Sequence, residues 1–235
     1  MLPIALAVAS GLMTTLTGVG GGIMLMLGLS LVWDPITALA VTAPALGAGN
    51  LHRWWLFRQA TDRAVFFRFA SGALPGALLG ALVAARLPQA LLFTLMAVVA
   101  LLGAARSLGW LRWAPSPRWI APSGAVIGVV AASGGGPGLL TSPVMMAAGL
   151  HGASYLATAA ACAVTMHAGR LVGYAVGGLV RVDTLLWAAA LAAGIFVGNL
   201  VGKRVRGSMS EAMTRRVEAG SLLLAVALAI GGVTR

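Results

Sequence analysis

Eight long apolar segments divide the 235-residue chain and constrain its fold more than any other feature. They cover residues 3–32, 35–51, 64–85, 89–109, 119–150, 153–175, 182–202 and 217–233. Most of them match the roughly 20 residues that a helix needs to cross a bilayer, and they lack the short alternation of barrel strands. Charged residues make up only 9% of the chain, whereas soluble domains carry roughly 25%. The sequence therefore predicts an all-α integral membrane protein.

The charges of the chain favour a membrane location over a nucleic-acid partner. Sixteen Lys and Arg residues stand against five Asp and Glu residues, which gives a net charge of +11. The basic residues lie between the apolar segments, as residues that set membrane topology do. No basic patch with interleaved aromatic residues occurs on a polar domain, so we expect no nucleic-acid binding.

Cys162 is the only cysteine, which excludes disulfide bonds and cysteine metal sites, and we expect neither a metal nor a cofactor.

An internal repeat is visible in the sequence. Val19-Gly20-Gly21-Gly22 matches Ser133-Gly134-Gly135-Gly136, and each glycine triplet lies near the middle of an apolar segment. "GALPGALLGALVAAR" (72–86) similarly matches "AALAAGIFVGNLVGKR" (189–204). These matches predict two homologous repeats of four segments each. The first would cover 1–110 and the second 119–235, with a connecting loop at 111–118.

The first segment of each repeat, 3–32 and 119–150, is too long for one ordinary span and too short for two. Each is therefore either a long, sharply broken helix or a re-entrant hairpin of two half-helices. If all eight segments cross the membrane, ten basic residues lie on one side and six on the other. If the first segment of each repeat re-enters, the distribution becomes twelve to four. The positive-inside rule thus favours the re-entrant arrangement, in which the two repeats are inverted.

The glycine triplets predict helix breaks with a binding function. Glycine costs a helix about 1 kcal/mol per residue relative to Ala, and three in succession are spaced for bending rather than for one helix face. A half-helix that begins there offers unpaired backbone N–H groups and the positive end of its dipole, and glycine lets an anion approach them closely. We therefore expect a substrate site near the membrane midplane that contains Gly20, Gly21, Gly22, Gly134, Gly135 and Gly136.

Glycines at four-residue spacing favour a different interpretation. They lie on one face of a helix, where small residues let two helices pack closely. The two sets predicted to have this packing role are Gly72, Gly76 and Gly80, and Gly194, Gly198 and Gly202.

Five polar residues within the apolar segments complete the predicted substrate site. They are Thr17, Ser133, Ser142, His167 and Arg170. His167 either forms a helix–helix hydrogen bond or acts as a proton-linked or substrate-contacting group, because imidazole changes charge near neutral pH. Arg170, on the same helix face, either attracts an anion or extends to the membrane interface. His52 and Arg53, near the corresponding point of the first repeat, are interpreted as topology anchors.

These motifs together resemble the sulfite exporter TauE/SafE family of membrane permeases. The resemblance covers nearly the whole chain, and "GYAVGGLVRVDTLLWAAALAAGIFVGNLVGKRV" (173–205) is especially similar to the C-terminal half of that family. It implies transport of sulfite, sulfonates or related small anions, commonly outward across the inner (plasma) membrane by a multi-pass protein. The expected partners are the anionic substrate and the lipid bilayer, and a homodimer is left open.

Two other functions compete with transport by a permease. An enzyme is not expected, because the chain has no H-E-x-x-H, no G-x-S-x-G, no paired intramembrane aspartates and no P-loop. An anion channel is the stronger alternative, since the same half-helix ends could line a pore. The inside-negative membrane potential drives anions outward, which predicts potential-driven uniport, with proton involvement through His167 left open.

Overall fold

The computed structural model describes residues 1–111 and 116–233, and this part of the chain contains helices and no strand. Its ten α-helices are α1 Leu2–Thr17, α2 Gly21–Val32, α3 Pro35–Phe57, α4 Arg63–Ala84, α5 Gln89–Ser107, α6 Ile120–Gly134, α7 Pro137–Ala147, α8 Gly152–Val176, α9 Val182–Arg206 and α10 Glu211–Val233. The all-helical prediction is confirmed. Residues 112–115 of the predicted connecting loop lie outside the described residues.

Several helices are long and apolar enough to cross a bilayer. By length and composition, α4, α5 and α9 are the three candidate spans among the described residues. The helices α1, α2 and α6 are apolar but shorter. This composition agrees with a multi-pass membrane protein, because a bilayer core accommodates backbone polar groups only when they are paired, as they are in helices.

Aspartates fix the start of α3 and α4. The Asp34 side chain accepts a hydrogen bond of 2.9 Å from the Thr37 N–H at the start of α3. The Asp62 side chain accepts one of 2.9 Å from the Val65 N–H at the start of α4. Both satisfy a backbone donor that the first helical turn leaves unpaired, and both place a negative charge at the positive helix end.

Each of the two longest apolar segments forms two helices with an interruption at its glycine triplet. The helix α1 ends at Thr17, and α2 begins at Gly21 after Gly20, whose φ is 86°. The helix α6 ends at Gly134, and α7 begins at Pro137 after Gly135 (φ 69°) and Gly136 (φ 60°). Positive φ values favour glycine strongly, because a Cβ would meet the neighbouring carbonyl oxygen.

The helices α1 and α2 fold back on one another. A Cβ at Gly21 would overlap the Ser10 carbonyl oxygen, and a Cβ at Gly28 would lie 2.9 Å from Cδ1 of Leu6. The contacting residues therefore move away from the interruption in both directions along the chain. That pattern is the pattern of two antiparallel helices, and α2 is further enclosed by α3 and α10.

Glycine stripes allow two pairs of helices to pack with their backbones in close contact. In the first pair, α4 lies against α6, and a Cβ at Gly76 would overlap the Ala125 carbonyl oxygen. In the second pair, α9 lies against α1, and a Cβ at Gly198 would overlap the Val8 carbonyl oxygen. The other predicted stripe members meet the same partner helices: Gly72, Gly80, Gly194 and Gly202. The predicted packing role of both stripes is confirmed.

Replacing Gly135 with alanine is expected to destabilise the protein more than the same change at Gly149. Both glycines have positive φ, 69° and 81°, so both variants carry backbone strain of about 1–3 kcal/mol. A Cβ at Gly135 would in addition overlap the Met26 side chain, whereas a Cβ at Gly149 would have no neighbouring atom within 4 Å. Thermal unfolding in detergent measures the difference. Equal melting temperatures for the two variants would contradict close packing at this interruption.

Candidate functional site

A small cavity with several polar side chains in its wall lies where the two helix interruptions meet α3, α8 and α9. Its volume is ≈ 40 Å³, measured as the space open to the centre of a water molecule. None of the described residues that line it is an Asp or Glu. Its polar side chains are Ser10, Thr14, Asn50, Arg53, Thr141, His167 and Asn199.

The two interruptions contact each other at this cavity. A Cβ at Gly136 would lie 3.1 Å from the Ile23 Cβ, and a Cβ at Gly138 would lie 3.2 Å from the Gly18 carbonyl oxygen. Within the described part of the chain, the backbone N–H groups of Gly22 and Ile23 have no hydrogen-bond acceptor. The cavity therefore lies beside unpaired amides at the positive end of α2.

Arg53 is a buried cation on the cavity wall. Its side chain is 3% exposed, and it donates to the Thr14 carbonyl oxygen at 2.9 Å and to Oδ1 of Asn50 at 2.7 Å. Its Nε has no partner, and none of the described acidic side chains forms an ion pair with it. The interpretation of Arg53 as a topology anchor is therefore wrong. Packing of α3 against α8 and α9 buries the guanidinium inside the protein.

Arg170 is a second buried cation, placed one layer behind the cavity. It is 0% exposed, and its Nη1 lies 3.2 Å from Nδ1 of His167. Its Nη2 donates to the Leu39 carbonyl oxygen at 3.4 Å, and its Nε has no partner among the described atoms. Arg170 does not extend to the membrane interface, so that alternative is wrong. Arg170 follows the cavity residue His167 by three positions in α8, as Arg53 follows the cavity residue Asn50 in α3.

Asn199, on α9, links α1 and α3 at the cavity wall. Its Oδ1 accepts a hydrogen bond of 2.9 Å from the Thr15 hydroxyl on α1, and its Nδ2 donates to the Gly49 carbonyl oxygen at 2.8 Å on α3. The residue is 1% exposed. Its Nδ2 also lies 3.4 Å from Nδ1 of His52. Both N–H groups and the oxygen of the amide therefore have partners within reach, and Asn199 positions the cavity wall rather than offering a free donor.

Polar side chains also satisfy the carbonyl ends of the two interrupted helices. Arg206 on α9 donates to the Leu16 carbonyl oxygen at the end of α1, and the Tyr174 hydroxyl donates to the Ala132 carbonyl oxygen near the end of α6. The last carbonyl groups of a helix have no partner within it, and leaving them unpaired in a buried site is costly. The carbonyl ends of α1 and α6 are thus paired, and the positive ends of α2 and α7 line the cavity.

Four of the eleven predicted site residues line the cavity: Gly20, Gly22, Gly136 and His167. Three other predicted glycines contact neighbouring elements. Gly21 packs on α1, Gly134 packs on α5, and Gly135 packs on the Met26 side chain.

The predicted hydroxyl groups do not line the cavity. The Thr17 hydroxyl has two acceptors within reach of its O–H, the Met13 carbonyl oxygen at 2.9 Å and the Val19 carbonyl oxygen at 2.7 Å, and its oxygen accepts from the Val19 N–H at 3.2 Å, so it stabilises the first interruption. The Ser142 hydroxyl contacts other side chains, the Met146 sulfur at 3.7 Å and Tyr155 on α8, whereas the Ser133 hydroxyl lies 3.4 Å from the Val129 carbonyl oxygen of its own helix. Return hydrogen bonds of this kind are common for Ser and Thr in helices.

The site has the chemistry of an anion receptor. A guanidinium and unpaired backbone amides face one small space that contains no described acidic side chain. Burial of a charge without a counter-charge costs several kcal/mol, and a bound anion would remove that cost. Among the described residues, no three His, Cys, Asp or Glu side chains come together to hold a metal ion.

Comparison with known proteins identifies the family. The family model described as sulfite exporter TauE/SafE matches residues 3–230, a range that includes both interruptions and every residue of the cavity. No curated protein and no solved structure matches the chain. Because the match covers nearly the whole chain, this protein belongs to the sulfite exporter TauE/SafE family of membrane transporters.

Proposed function

We propose that this protein is a plasma-membrane (inner-membrane) permease that exports a small sulfur-containing oxyanion, such as sulfite or an organosulfonate. The substrate binds in the cavity between the two interruptions, near the bilayer midplane. The observation that carries the proposal is Arg53, a cation that is 3% exposed, lines this cavity and has no acidic partner among the described residues. An ionisable group inside a membrane protein is a functional candidate by default, and its partner here is the anion.

The dimensions of the cavity fit a small oxyanion. Its ≈ 40 Å³ provide about three water-sized positions, which suits the four non-hydrogen atoms of sulfite. An organosulfonate would place its anionic group here and its organic part toward an opening created by movement of the surrounding helices. A channel would need a continuous water-filled path, so this small cavity supports a permease over the channel alternative.

The pairing of helices supports two structural repeats, which the proposal takes as inverted and as opening with re-entrant hairpins. The helix α1 packs on α9 while α6 packs on α4, and α3 packs on α8 at the centre. This exchange is expected if a pseudo-two-fold axis relates α1–α5 to α6–α10. Discontinuous helices that meet at such an axis are a recurrent way to build a transporter site. The cavity is formed within one chain, so the proposal does not require a homodimer.

The membrane potential supplies the driving force in this proposal. It contributes about 2.3 kcal/mol per elementary charge per 100 mV, and an inside-negative potential moves anions outward. No Asp or Glu among the described cavity residues offers a proton relay. We therefore propose uniport of the anion.

Anion binding by the purified protein tests the proposal. Calorimetric titration in detergent would compare sulfite, sulfate, thiosulfate, methanesulfonate, acetate and chloride, each added with the same counter-cation. Selective binding of a sulfur oxyanion or sulfonate is expected. Absence of binding by every one of these anions would contradict the proposed site.

Flux measurements in proteoliposomes test the mechanism. Under the uniport proposal, export of the bound anion follows a potential clamped with potassium and valinomycin. Flux that ignores the clamped potential would contradict uniport. Single-channel currents in planar bilayers would instead establish the channel.

Replacing Gly22 with alanine is expected to weaken anion binding without unfolding the protein. A Cβ at Gly22 would enter the cavity lining at 3.7 Å from Cδ1 of Leu46, an ordinary contact, so the fold tolerates it. The methyl group would keep the anion from the amides of Gly22 and Ile23, which lowers affinity about tenfold if one charge-assisted hydrogen bond is lost. The control is Gly220→Ala, because nothing lies within 4 Å of a Cβ there. Unchanged affinity in Gly22→Ala would exclude contact between the anion and the start of α2.

A further inference from the structure

His167 lies on the cavity wall in a restrained position. It belongs to α8, is 2% exposed and lines the cavity. A Cβ at Gly47 would lie 3.2 Å from the His167 Cβ, so α3 approaches the base of the imidazole closely. The base of the side chain is therefore held against α3.

The contact with Arg170 determines which ring nitrogen carries the proton. Nη1 of Arg170 lies 3.2 Å from Nδ1 of His167. A guanidinium has only hydrogen-bond donors, so Nδ1 must accept. A neutral imidazole with an accepting Nδ1 carries its proton on Nε2. Arg170 is in turn fixed by the Leu39 carbonyl oxygen and lies over the Tyr174 ring, 5.7 Å from its centroid.

The Nε2 atom faces the open space of the cavity. No hydrogen-bond partner for it occurs among the described residues. The fully buried polar side-chain atoms that lack a partner in the described part of the chain are Ser10 Oγ, Arg53 Nε and Arg170 Nε. Since Nε2 of His167 is unpaired but is not one of these enclosed atoms, it retains accessible surface, and the cavity is the space that His167 lines.

The charges around His167 oppose a second proton. Arg170 contacts the imidazole from its own helix, and Arg53 lines the same cavity from α3. No acidic residue is among the described groups that line the cavity. Protonation would place an Nδ1–H opposite the N–H of Arg170 and would add a third positive charge to a buried site, which is costly.

From this geometry we propose that Arg170 is a positioning residue that holds His167 as the neutral Nε2–H tautomer, which makes His167 a fixed hydrogen-bond donor to the transported anion. His167 is therefore a specificity-determining contact and does not carry protons. The tautomer follows from the Arg170 contact alone, whereas the role of the donor rests on the proposed function. Anion export through this site is consequently independent of proton movement by His167.

Nitrogen NMR of the imidazole tests the tautomer directly. The full-length protein would be labelled with ¹⁵N-histidine in detergent, and the His167 resonances would be assigned by their loss in His167→Gln. We expect an unprotonated Nδ1 and a protonated Nε2 that persist between about pH 5 and pH 8, where a free imidazole titrates. In Arg170→Met, Nδ1 loses its donor, and the resonances should become those of two exchanging neutral tautomers. A protonated Nδ1 in the unaltered protein would overturn the proposal.

Two substitutions separate the donor from the shape of the side chain. His167→Gln keeps an acceptor toward Arg170 and an N–H donor near the position of Nε2, so methanesulfonate affinity should stay within about threefold. His167→Leu has no donor, and its affinity should fall about tenfold or more, as for the loss of a hydrogen bond to a charged group. His151→Gln is the matched control, because His151 is exposed and lies outside the cavity.

The outcomes distinguish this inference from the proposed function. If the unaltered protein binds methanesulfonate and His167→Leu binds it equally well, the donor role is wrong while the anion site stands. If the unaltered protein binds no anion but shows the Nε2–H tautomer, the proposed function fails and the positioning role of Arg170 stands. Methanesulfonate affinity that rises as His167 takes up a proton would contradict the neutral donor.

Discussion

Replacing Arg53 with methionine is expected to weaken anion binding by about 100-fold or more, because removing one partner of a buried charge pair costs about 3–5 kcal/mol. Methionine fills much of the volume of the arginine stem but offers neither a charge nor a donor. The ligand-free variant should keep or exceed the wild-type melting temperature, since the buried guanidinium has no acidic partner among the described residues. Calorimetric titration with methanesulfonate and thermal unfolding measure the two effects.

The control for this prediction is Arg58→Met. Arg58 follows α3 by one residue, is exposed and donates only locally, to the Trp55 carbonyl oxygen at 2.8 Å. Its removal should leave anion affinity unchanged. Opposite changes, lower affinity with undiminished stability, identify Arg53 as a ligand-binding residue. A purely structural arginine would show lower stability with unchanged affinity in the protein that remains folded.

Leucine at Gly76 or at Gly198 is expected to prevent the protein from reaching its folded state. Ordinary overpacking of a core costs about 1–3 kcal/mol, and a side chain at these positions would meet backbone atoms instead of adaptable side chains. The obstacle is the Ala125 carbonyl oxygen at Gly76 and the Val8 carbonyl oxygen at Gly198. Both helix pairs would have to separate, which removes the close packing that replaces hydrophobic association in a membrane.

Size-exclusion chromatography after detergent extraction measures this loss as a reduced yield of monodisperse protein. Gly220→Leu serves as the control, because Gly220 is an exposed helical glycine with nothing within 4 Å of a Cβ. Similar losses at Gly76 and Gly198 would also support the equivalence of the two repeats. Wild-type yield and melting temperature for both variants would contradict backbone contact between these helices.

The two buried arginines have different roles in the proposed site. Arg53 lines the cavity, whereas Arg170 lies behind it and acts through His167. Asn50 and His167 occupy similar positions, each three residues before its arginine, but only the imidazole can exist as two tautomers. In the proposed transporter, the first repeat thus contributes the charge and the second contributes a directed neutral donor.

Local properties of the sequence account for much of the fold. Apolar segments of about 20 residues require helices in a bilayer, whatever the neighbouring segments do. Glycine is strongly favoured at positive φ, so the interruptions include residues of the triplets, where Gly20 has a φ of 86° and Gly135 one of 69°. The four-residue spacing of Gly72, Gly76 and Gly80 defines one helix face, and a face of glycines serves close packing.

The cavity itself could be predicted only in part. The sequence marked Gly20, Gly22, Gly136 and His167, which line it, because glycine triplets and an intramembrane histidine are unusual in their own segments. It also marked hydroxyl groups such as those of Thr17 and Ser133, which bond to their own backbone instead. A hydroxyl beside a helix break has two ways to satisfy its hydrogen bond, and the sequence does not choose between them.

Arg53 shows what the sequence could not determine. An arginine near the end of an apolar segment commonly marks the membrane boundary, so the segment alone favoured an anchor. The equivalent spacing of Asn50 with Arg53 and of His167 with Arg170 was a signal for the site, but its meaning depends on which face of each helix is enclosed.

The sequence by itself determined the helical membrane class, the transporter family and the residues that let helices end or approach closely, because these follow from properties within one segment. Only the tertiary structure decided that Arg53 faces a cavity, that Arg170 acts through His167, and that Asn199 joins α3 to α9 across 150 positions of the chain. Those outcomes depend on contacts between segments far apart in sequence, where close packing fixes the orientation of each helix about its axis.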